Sequence, residues 1–292
     1  MTISNTKIIE CVPNFSEGKS KDIIDLIAQE IINEQGVTLL DVDMGRDTNR
    51  TVMTFAGEPI PVTNAAFNAI KKAAQLIDMR KHSGAHPRMG ATDVCPIIPI
   101  SNISFEECVE YSINLAERVG KDLKIPVFLY EKSAVLSYRK NLSEIRKGEY
   151  EAMKSKISQK KWKPDFCSQF NKKSGVTAIG VRNFLIAYNI NLSTQDKKIA
   201  SDIALDLREQ GRAMRDAKGK ILRDSKNKII KIPGKLKSVK AVGWYLDEFK
   251  QAQVSMNLTD YNITSLHSAF ESVRTEANKR GIRVTGSEIV GL

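Results

Sequence analysis

Long apolar runs are missing from this chain of 292 residues. No stretch approaches the ~18 consecutive apolar residues that a membrane span requires. With 41% hydrophobic and 27% charged residues the composition is that of an ordinary globular protein, so a soluble chain with no membrane partner is expected. Cysteine is scarce too. Cys11, Cys95, Cys108 and Cys167 are scattered without a C-x-x-C pair, which argues against structural zinc and against a disulfide framework. Three of the four lie in or beside apolar runs, where a thiol serves as a small buried hydrophobe. The N-terminus lacks the basic start, apolar core and small-residue cleavage site of a secretory signal, and the cytoplasm is the default compartment.

What is abundant is positive charge. A formal net charge of +11 attracts anionic ligands in general, whether nucleic acid, phosphate or polycarboxylate. Much of the excess lies between Arg215 and Lys240, where Asp216-Ala217-Lys218-Gly219-Lys220 and Asp224-Ser225-Lys226-Asn227-Lys228 form a short imperfect repeat. Turn chemistry between basic residues reads as a solvated hairpin excursion.

Hydrophobic period gives the order of elements. Residues 7–12 read as a strand, and Ser16-Glu17-Gly18-Lys19 opens a helix that stops near Gly36. Strands at 37–42 and 51–55, a helix from about 61 to 79 and a strand at 94–100 complete β-α-β-β-α-β. Two prolines in the last strand suit an edge or a strand end. A helix at 105–119, a strand at 127–130 and a charged, mainly helical stretch at 136–161 extend this unit. The second half repeats the order with strands at 184–191, 239–246, 252–258 and 283–290 and helices at 195–210 and 265–279. The fold class expected is α+β, with two ferredoxin-like subdomains, 1–180 and 181–292, and a ligand cleft between them.

Only three histidines are present, His82, His86 and His267, and two share the irregular segment 81–93. An imidazole on a glycine-containing loop suits acid/base work, because its reference pKa of about 6.5 leaves both protonation states accessible. The spacing of His82 and His86 would align two metal ligands on a helix, but Gly84 and Pro87 oppose that helix and no third ligand is fixed, so no metal is expected. The bland alternative is that both rings satisfy loop backbone groups. Asn14 to Gly18 lies between a strand and a helix start, where amides favour an anion; the same residues also make an ordinary helix start capped by Ser16. Asp41 and Asp43 alternate onto one side of a strand, facing a ligand or merely capping a turn. Trp244 and Tyr245 adjoin on a strand and so point to opposite faces, one of them toward the core.

Glu10-Cys11-Val12-Pro13-Asn14-Phe15-Ser16-Glu17-Gly18, Leu40-Asp41-Val42-Asp43, Thr48-Asn49-Arg50-Thr51, His86-Pro87-Arg88-Met89-Gly90-Ala91 with Asp93, Gly243-Trp244-Tyr245-Leu246-Asp247-Glu248 and Gln253-Val254-Ser255-Met256-Asn257 together resemble the glutamate formimidoyltransferase family, in order along nearly the whole chain. In animals this is the front part of a bifunctional formimidoyltransferase-cyclodeaminase. Nothing resembles the cyclodeaminase, so a stand-alone transferase is expected. The resemblance implies transfer of a formimidoyl group from N-formimidoyl-L-glutamate to N5 of tetrahydrofolate in histidine degradation, with tetrahydrofolate as co-substrate, and a homodimer. It puts the catalytic histidine at His86 and the folate-contacting segment at Cys167, Ser168, Gln169, Phe170, Asn171, Lys172, Lys173, Ser174 and Gly175. Cys167 stands where the family usually has glycine, and Asn171 to Ser174 are more basic than the usual pattern.

On this reading His86 takes the proton from the attacking nitrogen and returns it to the leaving one. Asp43 orients it or binds the pterin, while Asn14 and Arg88 hold substrate, Arg88 through its carboxylates. The rivals are a 5-formyltetrahydrofolate:glutamate formyltransferase on the same site and, in another class, a basic RNA-binding protein. The second lacks the aromatic motif that nucleic-acid stacking on central strands requires, so no nucleic-acid partner is expected.

Overall fold

The computed structural model describes residues 6–247 and 249–290, which divide into two compact units, 6–182 and Asn183–Val290. Glu248, within one of the resemblance motifs, lies outside the described residues.

In the first unit β1 (Ile8–Cys11) and β2 (Asn14–Phe15) are halves of one strand broken at Val12-Pro13, where proline offers no N–H to a ladder. Helix α1 (Lys21–Ile32) starts where the Ser20 side chain accepts from the Ile23 N–H, and it buries Ile24, Ile27, Ala28 and Ile31, one apolar stripe at helical spacing. Strands β3 (Val37–Gly45) and β4 (Arg50–Gly57) lead to α2 (Pro59–Leu76), which places proline in its first turn, where a missing N–H costs nothing. Then come β5 (Thr92–Ser101), α3 (Phe105–Asp122) with a Ser104/Glu107 capping box, β6 (Val127–Glu131), the short helices α4 (Leu142–Arg146) and α5 (Glu149–Ile157), and β7 (Thr177–Val181).

The sheet runs β3, β4, the β1/β2 pair, β5, β7, β6; neighbours are antiparallel as far as β5, and β5, β7 and β6 are parallel. One face is apolar: Ile9, Phe15, Met53, Phe55, Cys95, Ile97 and Leu129 pack under α1, α2 and α3. Beneath α4 and α5 the other face is apolar as well, through Val94, Phe128, Tyr130 and Ala178 against Ile145 and Met153. Toward β3 that second face turns polar. A register shift between Leu39 and Asp41 sets Leu39 opposite Phe55 but Asp41 opposite Thr54 and Asp43 opposite Val52, so both aspartates share the face of Arg50, Val52 and Thr54.

Two expectations are corrected here. The proline-containing strand is central, not an edge: β5 lies between the β1/β2 pair and β7. Pro96 is tolerated because it sits opposite the break between β1 and β2, where Val12 N–H donates to its carbonyl at 3.2 Å and no donor is asked of it. Strand β7 was not foreseen, because five residues containing a glycine carry no alternation; its burial on both faces is what a parallel central strand requires.

The second unit contains β8 (Ile186–Leu192), α6 (Lys197–Leu207), the two-residue strands β9 (Arg212–Ala213) and β10 (Lys231–Ile232), β11 (Val239–Leu246), β12 (Gln251–Leu258), α7 (Leu266–Lys279) and β13 (Val284–Val290). Its antiparallel sheet runs β11, β12, β8, β13. Tyr188, Ile190, Leu192, Val254, Met256 and Leu258 pack with Ile203, Leu207, Ala269 and Val273 of the two helices. Arg280 ties those helices together through Asp202 (2.7 Å), Asp206 (2.6 Å) and Glu276 (2.8 Å).

The opposite alternation puts amides on the other face. Trp244 Nε1 donates to Gln253 Oε1 at 2.6 Å, and Gln253 Nε2 donates to Asn191 and Glu288. Neither Trp244 nor Tyr245 joins the apolar cluster, contrary to the expectation for one of them. The basic excursion consists of two tight turns, closed by the pairs Arg215 with Ile221 and Arg223 with Ile229, stacked beside the β9–β10 pair. In each turn an aspartate, Asp216 or Asp224, accepts from two backbone N–H groups. Among the described residues no helix is long and apolar enough to cross a membrane.

Candidate active site

The segment between α2 and β5 has no regular structure, so its side chains are placed by tertiary bonds. Asn49 does most of the placing. Its backbone is left-handed (φ 48°), a conformation asparagine tolerates better than most residues, and its side chain accepts from Gly18 N–H (3.0 Å) and donates to the Ser83 carbonyl (2.7 Å). Gly84 must be glycine, because a Cβ there would fall 2.3 Å from the Thr48 carbonyl oxygen. The Met89 N–H is held by Asp93 Oδ1 at 2.9 Å, and Gly90 pairs with Gly175.

The two histidines of this segment have opposite fates. His82 Nε2 lies 2.9 Å from the Asn49 carbonyl and its Nδ1 accepts from Arg88 Nε at 3.3 Å. Since a carbonyl can only accept, Nε2 carries the proton and both nitrogens are engaged. Burial and the Arg88 charge lower its pKa, and the ring is a neutral strut. His86 uses only one nitrogen. Its Nδ1 donates to the Pro87 carbonyl at 2.7 Å, which fixes the tautomer and leaves the Nε2 lone pair uncommitted. The ring is half-buried, and desolvation together with the charges of Arg50 and Arg146 pushes its pKa down to about 2.

Those two arginines, whose charges act on His86, were not singled out from the sequence. Arg50, the first residue of β4, makes no side-chain hydrogen bond or ion pair among the described residues, and its buried Nε has no partner. Desolvation lowers its pKa to about 10, reinforced by Arg146 and offset by Asp93 and Asp43. Arg146, the last residue of α4, donates to Asp93 Oδ2, while its own buried Nε is unpartnered. The Lys156 ammonium caps that end of α4 by donating to the carbonyls of Glu144 (2.7 Å), Ile145 (2.6 Å) and Lys147 (3.0 Å). The signal available in the sequence was Arg50 within Thr48-Asn49-Arg50-Thr51. Nothing in the sequence pointed to Arg146, whose approach depends on how α4 folds back over the sheet.

The other expected residues fall out as follows. Arg88, expected on substrate carboxylates, has its donors committed: it is 8% exposed and donates to Glu149 (2.9 Å), to both oxygens of Glu151 (2.9 and 2.6 Å) and to the His82 carbonyl (3.2 Å). The group on His86 Nδ1 is the Pro87 carbonyl and not Asp43, which lies on the polar face near Arg50. Asn14 is on that face too, opposite Val52, and donates to the Val12 carbonyl at 3.1 Å.

Segment 167–175 is a compact turn bound to the loop of His86. Asn171 Oδ1 accepts from Lys173 and Ser174 N–H, the Ser174 carbonyl accepts from Ala91 N–H, Lys172 presents its carbonyl to the Tyr150 hydroxyl, Lys173 bonds the Gln75 carbonyl, and Phe170 packs on Tyr150. Cys167 has φ 54°, the left-handed region that favours glycine, while Ser168 and Gln169 are exposed. Among the described residues no group of three or more His, Cys, Asp or Glu side chains is placed to hold a metal ion.

Two family models match the chain. That for the "Formiminotransferase domain, N-terminal subdomain" matches residues 8–182, and that for the "Formiminotransferase domain" matches 187–292. The chain belongs to the formiminotransferase domain family. This formiminotransferase chain is 42% identical to a glutamate formimidoyltransferase of Streptococcus pyogenes serotype M1, over 98% of its own length and 89% of the relative's. It is 47% identical to a formimidoyltransferase-cyclodeaminase of Dictyostelium discoideum and 48% identical to that of Rattus norvegicus, over 98% of its own length and 50% of theirs. It thus spans about half the length of these curated relatives.

Proposed function

We propose that the chain is a glutamate formimidoyltransferase, carrying the formimidoyl group from N-formimidoyl-L-glutamate to N5 of tetrahydrofolate. The observation that carries this reading is the state of His86: one nitrogen is spent on the Pro87 carbonyl and the other is uncommitted, while Arg50, whose charge acts on the ring, makes no side-chain hydrogen bond or ion pair among the described residues. Folate N5 attacks the amidine carbon to form a tetrahedral adduct, and His86 Nε2 takes the proton that N5 loses. The imidazolium then delivers this proton to the α-nitrogen of glutamate as the carbon–nitrogen bond breaks, and the base is regenerated. The cations beside the ring favour its neutral form, the form the first step needs.

Tetrahydrofolate is the co-substrate on this reading, with the turn 167–175 and Asp43 contacting it and Asn14 on the substrate side. Histidine degradation, a cytoplasmic location and a homodimer follow from the same proposal. Each unit is read as ferredoxin-like, on the sheet order β3, β4, β1/β2, β5 in one and β11, β12, β8, β13 in the other.

The test is a spectrophotometric assay of the purified chain with formimidoylglutamate and tetrahydrofolate, beside 5-formyltetrahydrofolate with glutamate. Faster turnover of the second pair would replace the proposal by formyl transfer, and no turnover of either pair would end it.

A further inference from the structure

We propose that His82 is a positioning residue for His86, because its ring joins the two clamps between which the catalytic imidazole is held. The inference rests on the transferase reading for the role of His86 and on the structure for the bonds.

His86 stands on a short span. On its N-terminal side, residues 82–85 are gripped by the turn between β3 and β4. Ala85 N–H donates to the Asp47 carbonyl at 3.2 Å, Gly84 lies against the Thr48 carbonyl, and Asn49 Nδ2 donates to the Ser83 carbonyl at 2.7 Å. On its C-terminal side Arg88 is gripped by α5: the guanidinium donates to Glu149 and Glu151, and the Arg88 carbonyl accepts from Tyr150 N–H at 2.9 Å. Between the clamps, His86 and Pro87 bond only each other among the described residues.

A span pinned only at its ends is placed by the relation between those ends. The His82 ring bonds to both: Nε2 donates to the Asn49 carbonyl of the turn at 2.9 Å, and Nδ1 accepts from Arg88 Nε at 3.3 Å. Arg88 Nη2 returns to the His82 carbonyl at 3.2 Å and closes the join. Only a neutral ring with its proton on Nε2 makes both ring bonds. Both nitrogens are engaged, so His82 acts on the reaction through the place it gives His86 and not through substrate. Misplacing a reacting group by ~1 Å costs about 10²-fold in rate, and the join therefore bears on turnover more than on binding.

The experiment compares the full chain with His82→Leu, His82→Asn and His82→Gln. In steady state with formimidoylglutamate and tetrahydrofolate, His82→Leu should lower kcat ~10- to 100-fold with both KM values within a few-fold. Asparagine keeps an acceptor where Nδ1 stands and glutamine a donor where Nε2 stands, so each should restore part of kcat. In an Arg88→Met background His82→Leu should lower kcat little further, because the join is already broken. NMR of the 15N-histidine-labelled chain should find the proton of His82 on Nε2 and that of His86 on Nδ1. In His82→Leu the His86 ring signals should shift, while those of the exposed His267 on α7 stay in place.

An unchanged kcat, a loss confined to KM, or additive losses in the double variant would overturn the proposal. A proton on Nδ1 of His82, or His86 signals indifferent to His82→Leu, would do the same. Equal loss of kcat in all three variants with a matching fall in melting temperature would mark a purely structural role and also end it. Failure of the transferase reading looks different: no group transfer by any form of the chain, with His86 signals that still respond to His82→Leu.

Discussion

The two units bury the same kind of face and expose different ones. Both lay helices across an antiparallel order in which the first strand sits beside the third, and both carry polar groups on the far side, in the first unit only toward β3. In the second unit that face is satisfied: Trp244, Gln253, Asn191, Asn189 and Glu288 bond one another in a closed amide network. In the first it is not, since Arg50 makes no side-chain bond among the described residues and His86 keeps a nitrogen in reserve. A satisfied network holds a fold in one arrangement, whereas unsatisfied groups lower stability and persist where a ligand completes them.

The sharpest probe of this contrast is His86→Gln. It should lower turnover by at least ~10² while leaving binding of L-glutamate within a few-fold, the usual range for losing an acid/base group. Equal turnover in wild type and variant would erase the distinction between the units. Gln253→Ala should do the reverse. It strands the Trp244 indole and Asn191 and should cost about 2 kcal/mol in urea unfolding with turnover kept within a few-fold; a loss of turnover rivalling that of His86→Gln would show the second face to be reactive too.

Arg88→Met removes the partner of Glu149 and Glu151. Because those carboxylates can re-enter water, a moderate loss of about 1–2 kcal/mol is expected. Acid sensitivity offers a finer comparison. The unfolded chain protonates His86 near pH 6.5 and the folded chain resists doing so, so this residue makes stability fall as pH drops from 6.5. His86→Gln should show a flatter decline over that window in chemical unfolding monitored by circular dichroism. The smallest effect is Cys167→Gly, which relieves a left-handed backbone at the cost of a looser unfolded chain and should raise stability by about 0.5 kcal/mol, read as a small rise in melting temperature.

How much of this was legible beforehand varies by residue. The β-α-β-β-α-β order was readable twice because each strand and helix keeps its own period, and the turn-bound basic repeat was readable from Asp, Gly and Asn at fixed offsets. β7 was not, since a strand buried on both faces shows no alternation. His86 was reached through its motif, while its difference from His82 could not be, because both are loop histidines separated by four positions and only their bonds tell them apart. Arg88 looked available in the sequence and is committed in the structure, because two glutamates from α5 come back over the loop to meet it.

By itself the sequence determined the mixed class, the division into two repeated orders, the histidine-bearing loop and the family, all of which rest on local period, turn chemistry and motif. Only tertiary structure decided which cations are paired and which are left with donors to spare. Pairing depends on distances between residues such as Arg50, Asp93 and Arg146 that lie far apart along the chain, and hydrogen bonds form or fail within a few tenths of an ångström.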